Sequence, residues 1–287
     1  SAEGTARLWR RATNGGNFSA ETPPSRMDAG QGWYDWCFAV SPVDPNAVYW
    51  GAIELFRGAR SATGWRWSNI SSRSSGDSIH PDQHHIAFDP SGRFVIVPEK
   101  NLDKVLVYRF DAANGKLASN NPPYVAGRDW AGPRHITFHP SQAIAYVINE
   151  TDSTLTACHW NAQFGTLIPF QIIATIPETF KHENLASEIA VSRSGKYLYA
   201  SNRGHDSIAL FSIDDEDGKL GLLAWEPSCG KTPRFFALDA GGSRLYVANQ
   251  DSDSIVVFSI DENSGKLTPT GQTVETGTPT CIVFAYH

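Results

Sequence analysis

The chain has 287 residues, 41% of them hydrophobic and 19% charged, with a formal net charge of −6. That is an ordinary globular composition, and its acidic balance excludes the basic surface that a nucleic-acid partner requires. No apolar run approaches the roughly 18 residues needed to span a bilayer, and the opening SAEGTARLWRRATNGG reads as a processed or tag-cleaved end without the apolar core of a signal peptide.

The first predicted element, RLWRRAT at residues 7–13, resembles LFRGARS at 55–61, the third strand of a repeating unit. The unit itself begins at Cys37 with CFAVSPVDPNAVYWGA: an apolar run, a polar turn and a second run. It returns at His85 as HIAFDPSGRFVIVPEKN, at His135 as HITFHPSQAIAYVINE, at Glu188 as EIAVSRSGKYLYASNR and at Phe236 as FALDAGGSRLYVANQ. The terminal TPTCIVFAYH matches the first strand of TPRFFALDA and stops. The aligned turn residues Ser41, Asp89, His139, Ser192, Asp239 and Ala285 are 48, 50, 53, 47 and 46 residues apart. Each unit continues into a third strand (KVLVYRFD, TLTACHWN, SIALFSID, SIVVFSID) with the apolar pattern of a half-buried strand. Turns such as AANGK, DEDGK and ENSGK then lead to a more polar fourth strand, because their Asn, Asp and Gly residues tolerate positive φ.

Four antiparallel strands per unit of this length is the signature of a β-propeller. A β-sandwich would not need such even spacing. The expected architecture is one all-β domain over residues 1–287, a six-bladed β-propeller. Its ring is closed by pairing of the C-terminal strand with N-terminal strands, and the closing blade is expected to be the weakest.

The strings FDPSGRFV, LDKVLVYRFDAANGKL, GPRHITFHP, YVINETDSTLT, SNRGHDSIALFSID, GKTPRFFALD and ANQDSDSIVVFSIDENSGKLTPTGQ, spread over residues 86–284, resemble the lactonase family of seven-bladed propellers, the 6-phosphogluconolactonase type. Residues 1–84 are similar instead to bacterial neuraminidase repeats of sialidase-like propellers. Their Asp-box turns are degraded to ATNGGNF and RSATGWRW, with the aspartate missing. With a junction at 84–85, the expected molecule is an engineered hybrid scaffold, a monomer without efficient catalysis. A change of blade number would displace residues across the ring by more than a catalytic arrangement tolerates. Two alternatives stand beside it, a lactonase acting on a sugar lactone and a carbohydrate-binding propeller.

Lactone hydrolysis needs a base to activate water and a donor for the developing oxyanion. The resemblance implies His135, Glu188, Arg203 and Arg234 around one mouth of the central channel, with Glu188 or His135 as base. The arginines would hold a small anionic or sugar ligand. Structural roles are open to each: His135 to backbone, Glu188 paired with Arg203, Arg234 facing water, and His205 with Asp206 ordering a loop. Trp33, Tyr34, Asp35 and Trp36 read as a sugar platform or as packing. His80, His84 and His85 have no metal-ligand spacing. No cofactor or metal is expected. The four cysteines, Cys37, Cys158, Cys229 and Cys281, form no C-x-x-C pair and read as buried small hydrophobes.

Overall fold

A computed structural model describes residues 8–11, 18–21, 37–41, 44, 46–51, 55–61, 64–69, 85–113, 115–282 and 284. The chain divides into two compact units: Ser1–Ala126 with Ala162–Thr166 and His287, and Gly127–Asn161 with Leu167–Tyr286.

The first unit opens with a two-stranded sheet, β1 (Leu8–Arg11) and β2 (Phe18–Glu21). A four-stranded antiparallel blade follows: β3 (Cys37–Val40), β4 (Ala47–Gly51), β5 (Leu55–Ser61) and β6 (Gly64–Asn69). The next comprises β7 (Ala87–Phe88), β8 (Phe94–Glu99), β9 (Lys104–Asp111) and β10 (Lys116–Ala126). Aromatic and aliphatic side chains share this unit's core, with Ile86, Val95 and Val97 beside Tyr49 and Phe110. Tyr49, Phe88 and Phe110 meet edge to face with centroids 5.1–5.5 Å apart, a favoured arrangement of ring quadrupoles.

The second unit carries three blades in chain order. They are β11 (Pro133–Phe138), β12 (Ile144–Asn149), β13 (Thr154–Asn161) and β14 (Thr166–Ala174); then β15 (Leu185–Val191), β16 (Tyr197–Arg203), β17 (Ser207–Ile213) and β18 (Leu220–Pro227); then β19 (Pro233–Leu238), β20 (Arg244–Asn249), β21 (Ser254–Ile260) and β22 (Leu267–Glu275). Strand β12, IAYVIN, is buried at every position, whereas β22 is exposed almost throughout. Second strands are thus buried on both faces and fourth strands are exposed, but β14 and β18 are not the polar strands expected from the sequence: they present Ile168, Ile172, Leu222 and Leu223 to solvent. Burying a side chain such as Ile148 or Phe211, each fully enclosed, stabilises the fold by about 1.5–3 kcal/mol.

The repeated turn residues are the hubs of the hairpins. The amides of Ser41, Asp89, His139, Ser192 and Asp239 donate to the carbonyls of Ala47, Phe94, Ile144, Tyr197 and Arg244 at 2.8–3.0 Å. Their side chains accept turn amides in return. Asp89 Oδ1 takes Arg93 and Phe94 N–H at 2.9 and 2.8 Å, His139 Nδ1 takes Gln142 N–H at 2.9 Å, and Asp239 Oδ1 takes Arg244 N–H at 2.8 Å. Between third and fourth strands, Gly218 adopts φ +69°. A Cβ there would lie 2.0 Å from Ile144 Cδ1 of the preceding blade. The Gly218 carbonyl accepts from Tyr146 Oη at 2.8 Å, and Gly265 accepts from Tyr199 in the same way.

The six-bladed expectation is corrected. Among the described residues there are five four-stranded blades and one two-stranded sheet. Strands β1 and β2 pair with each other as a two-stranded sheet, and no described strand follows Glu275. Of the terminal TPTCIVFAYH, on which the ring closure was placed, residues 283 and 285–287 lie outside the described residues, as do Trp33, Tyr34, Asp35, Trp36, His80 and His84. Of the cysteines, Cys158 is buried, but Cys229 and Cys281 are exposed. No helix among the described residues is long and apolar enough to cross a membrane.

Candidate functional site

The side chains that could do chemistry gather in the second unit, at the start of first strands and the end of second strands. Each first strand breaks register there: between Pro133 and His135 in β11, between Ala186 and Ile189 in β15, and between Pro233 and Phe235 in β19. An unpaired extra residue of this kind bends the strand and re-aims its side chains. The residues at these irregularities are Arg134 with His135, Ser187 with Glu188, and Arg234.

His135 and Glu188 are both buried, and Nδ1 of the imidazole lies 2.9 Å from Glu188 Oε1. The same carboxylate oxygen accepts the Ile189 amide at 2.9 Å, and the Glu188 amide donates to Ser201 Oγ at 2.9 Å. The carboxylate is therefore held by its own strand and in turn fixes the orientation of the imidazole. Ser187 Oγ donates to the Arg234 carbonyl at 2.6 Å, tying β15 to β19 at the site.

Beside this pair lies a cluster of guanidinium groups around one carboxylate. Glu150 Oε2 takes Arg134 Nη1 at 2.5 Å and Arg203 Nη2 at 3.1 Å. Arg203 also donates through Nε to the Leu185 carbonyl and through Nη2 to that of Ala186, both at 3.3 Å. Burial, and then the nearby charge of Arg134, pull the Arg203 pKa down to about 10; Glu150 opposes the shift, and Arg234 adds to it. Arg203 remains a cation at neutral pH, so Arg134 and Arg203 share the one Glu150 carboxylate, with the charge of Arg234 close to Arg203. Arg134 Nε is a buried donor with no hydrogen-bond partner among the described residues. Such groups are rare in folded proteins.

The structure brings together His135 with Glu188 and places Arg203 near Arg234. It corrects one expected pairing, since the carboxylate partner of Arg203 is Glu150 rather than Glu188. His205 and Asp206 order their loop. His205 Nδ1 meets Ser207 Oγ at 2.6 Å, and Asp206 Oδ1 accepts the Thr232 amide at 2.8 Å. Sequence reasoning missed Arg134 and Glu150. A signal was available: Arg134 occupies the register of Arg234 (GPRH against TPRF), and Glu150 that of Arg203 (INE against SNR).

Residues 68–284 match the family model described as Lactonase, 7-bladed beta-propeller. The chain is 32% identical over 208 residues to 6-phosphogluconolactonase of Bacillus subtilis (strain 168), an alignment covering 72% of this chain and 58% of that protein. The solved structure of the periplasmic gluconolactonase PpgL of Pseudomonas aeruginosa matches with a TM-score of 0.75 at 27% identity, covering 85% of this chain and 71% of that one. A Bacteroides fragilis structure, at 22% identity, shares the fold over 96% of this chain with a TM-score of 0.79. The chain spans just over half the length of the Bacillus subtilis relative.

These matches overturn the expected engineered hybrid without catalysis. The lactonase match begins at residue 68 and runs through the supposed junction at 84–85, and nothing supports a neuraminidase-repeat origin for the residues before it. The family's seven blades also differ from the six expected.

Proposed function

We propose that this chain, which belongs to the lactonase family of β-propellers, opens the ester ring of a sugar-acid lactone. The observation that carries the reading is the buried His135–Glu188 pair beside a cationic cluster that retains one unpartnered donor, Arg134 Nε.

In this mechanism Glu188 fixes His135 through Nδ1, leaving proton transfer to Nε2. That nitrogen takes a proton from water as the oxygen attacks the lactone carbonyl carbon, forming a C–O bond and pushing an electron pair onto the carbonyl oxygen. The guanidinium cluster stabilises this oxyanion in a site shielded from water, where such charges act strongly. Collapse breaks the bond to the ring oxygen, which receives the proton from His135. The product is an open hydroxy acid whose carboxylate the arginines favour. Glu150 holds Arg134 and Arg203 in place and is a positioning residue.

The test is hydrolysis of glucono-1,5-lactone and its 6-phosphate, followed as acid release above the spontaneous rate. Glu188→Gln and His135→Ala should each lower kcat/KM by about 10²–10⁴-fold, the usual contribution of a positioned acid–base group. Undiminished rates in both variants would remove the pair from the mechanism, and no rate above background in the unaltered chain would end the lactonase reading.

A further inference from the structure

An open cleft of about 560 Å³ lies directly beside the cationic cluster. Its walls include Thr151, Asp152, Ser153, His182, Glu183 and Leu185. It is joined to the cluster through the chain itself. Thr151 follows Glu150, and the Leu185 carbonyl accepts from Arg203 Nε at 3.3 Å. The floor is rigid: Asn184 Nδ2 donates to Ser153 Oγ at 2.8 Å, and Asn184 Oδ1 accepts the His205 amide at 3.0 Å. The volume is in the range of small-ligand sites. The connection that supplies this wall lies in the longest of the repeat intervals, the 53 residues between His139 and Ser192.

A second observation points to what the cleft takes. Trp130 has φ +64°, a left-handed conformation that is a genuine outlier for so bulky a side chain, and the residue is 82% exposed. Backbone strain of this kind clusters at ligand-binding positions. Its neighbour Ala131 accepts the Thr151 amide through its carbonyl at 3.0 Å, and Arg128 Nη2 pairs with Asp152 Oδ2. The loop bearing Trp130 is therefore fastened to the cleft wall at two points.

The chemistry of this neighbourhood differs from that of the cluster. Glu183 and the Arg128-paired Asp152 contribute carboxylates, Thr151 a hydroxyl, and Trp130 a broad indole. Carboxylates repel a phosphate but accept hydrogen bonds from the hydroxyls of a neutral sugar, while an aromatic face suits its C–H surface. We infer that the cleft and Trp130 form a subsite for a second, uncharged pyranose, so that the preferred substrate is the lactone of a glycosylated aldonic acid. The inference rests on the lactonase reading for the position of the reacting ring, which the arginines hold; the second sugar extends from it into the cleft.

The experiment compares kcat/KM for the 1,5-lactone of a disaccharide aldonic acid with that for glucono-1,5-lactone, alongside calorimetric binding of the corresponding open-chain acids. A preference of about tenfold or more for the disaccharide lactone is expected, collapsing toward one in Trp130→Ala and falling partway in Trp130→Phe and Glu183→Gln. The disaccharide acid should bind more tightly than gluconate, and Trp130→Ala should abolish the difference. Hydrolysis of both lactones without preference, or a preference unaltered in Trp130→Ala, overturns the subsite and leaves the lactonase reading intact. No hydrolysis of either lactone, with a Trp130-dependent preference in binding, supports the subsite and fails the hydrolytic reading. No hydrolysis and no such preference overturns both.

Discussion

The two compact units use the same hairpin hubs but differ in what their strands carry at the inner ends. In the first unit the core joins Ile86, Val95 and Val97 to aromatic rings. Tyr49, Phe88 and Phe110 form an edge-to-face trio, and Trp65 stacks on Trp67 with centroids 5.8 Å apart. In the second unit the cores mix Tyr146, Tyr199, Phe211, Phe236 and Phe258 with aliphatic residues such as Ile148, Leu155, Leu198 and Val247. Its first strands break register where Arg134, His135, Glu188 and Arg234 stand. The lesson is that blade stability and blade chemistry are separable. Hubs and cores recur in both units, whereas the charged groups occupy the irregularities of one.

The sharpest test of that separation pairs one substitution from each unit. Phe110→Ala removes a buried ring from the first unit and should lower stability by about 3–5 kcal/mol. Measured well below the midpoint, its lactone kcat/KM should stay close to that of the unaltered chain. Glu150→Ala strips the carboxylate from between two buried guanidinium groups, and breaking such a pair also costs about 3–5 kcal/mol. Here kcat/KM should fall as well, because Arg134 and Arg203 lose the group that positions them. Equal loss of activity in both variants would break the comparison.

A second pair asks how tightly the hairpins dock. Gly218→Ala in the second unit meets two penalties: about 1–2 kcal/mol for a side chain in the left-handed region, and about 1–3 kcal/mol for overpacking against Ile144, only 2.0 Å from the added carbon. Gly64→Ala in the first unit also has positive φ, at +118°, but nothing lies within 4 Å of its Cβ. Thermal unfolding should show the larger loss at Gly218; similar losses would mean that the hairpin there shifts freely.

The hubs themselves should rank by burial. Asp89, 2% exposed, accepts two backbone amides through Oδ1 and the Ser91 amide and hydroxyl through Oδ2. Asp89→Ala leaves buried donors unpaired and should lower stability by about 2–3 kcal/mol. Asp239 serves the same turn in the second unit but is more open to water, which can replace it, so Asp239→Ala should cost about 1 kcal/mol. Denaturant midpoints for the two variants give the ranking directly.

Much of this was legible in the chain. The interval of about 49 residues identified the hubs, since a turn needs its amides satisfied in every copy. The GPRH, SEIAV, SNR and TPRFF strings placed four of the six site residues. Arg134 and Glu150 were hidden because their importance lies in a contact between strands 16 residues apart, which neither string shows alone. The blade count failed for a similar reason. Four-residue strands such as LWRR carry too little periodicity to name a partner, and β1 finds its partner in β2. The Trp-rich hairpin at 61–67 misled in a different way. Its Ser61 Oγ bond to the Gly64 carbonyl at 3.0 Å and its stacked indoles make an outer hairpin that two propeller families could share.

The smallest expected effect concerns His205, in the second unit beside the cleft. Its ring lies edge-on to Phe180 at 4.9 Å and to Trp225 at 6.5 Å. Burial lowers its pKa below the ordinary 6.5, with the Asp206 charge working in the opposite direction. A histidine depressed in the folded state binds its proton more readily when unfolded. Its contribution is therefore complete above about pH 6.5 and declines as pH falls through that value toward the lower folded pKa. The midpoint of thermal unfolding, followed from pH 7.5 down to 5, should fall more steeply in the unaltered chain than in His205→Gln, which cannot titrate. No comparable histidine slope is expected from the aromatic trio of the first unit, whose members Phe88 and Phe110 carry no titrating group and whose Tyr49 is shifted upward by burial. If His205→Gln and the unaltered chain gave the same slope over that interval, the imidazole would be exchanging its proton with water as freely in the folded state as in the unfolded one, and the packing of Phe180 against it would contribute nothing to the rigidity of the cleft.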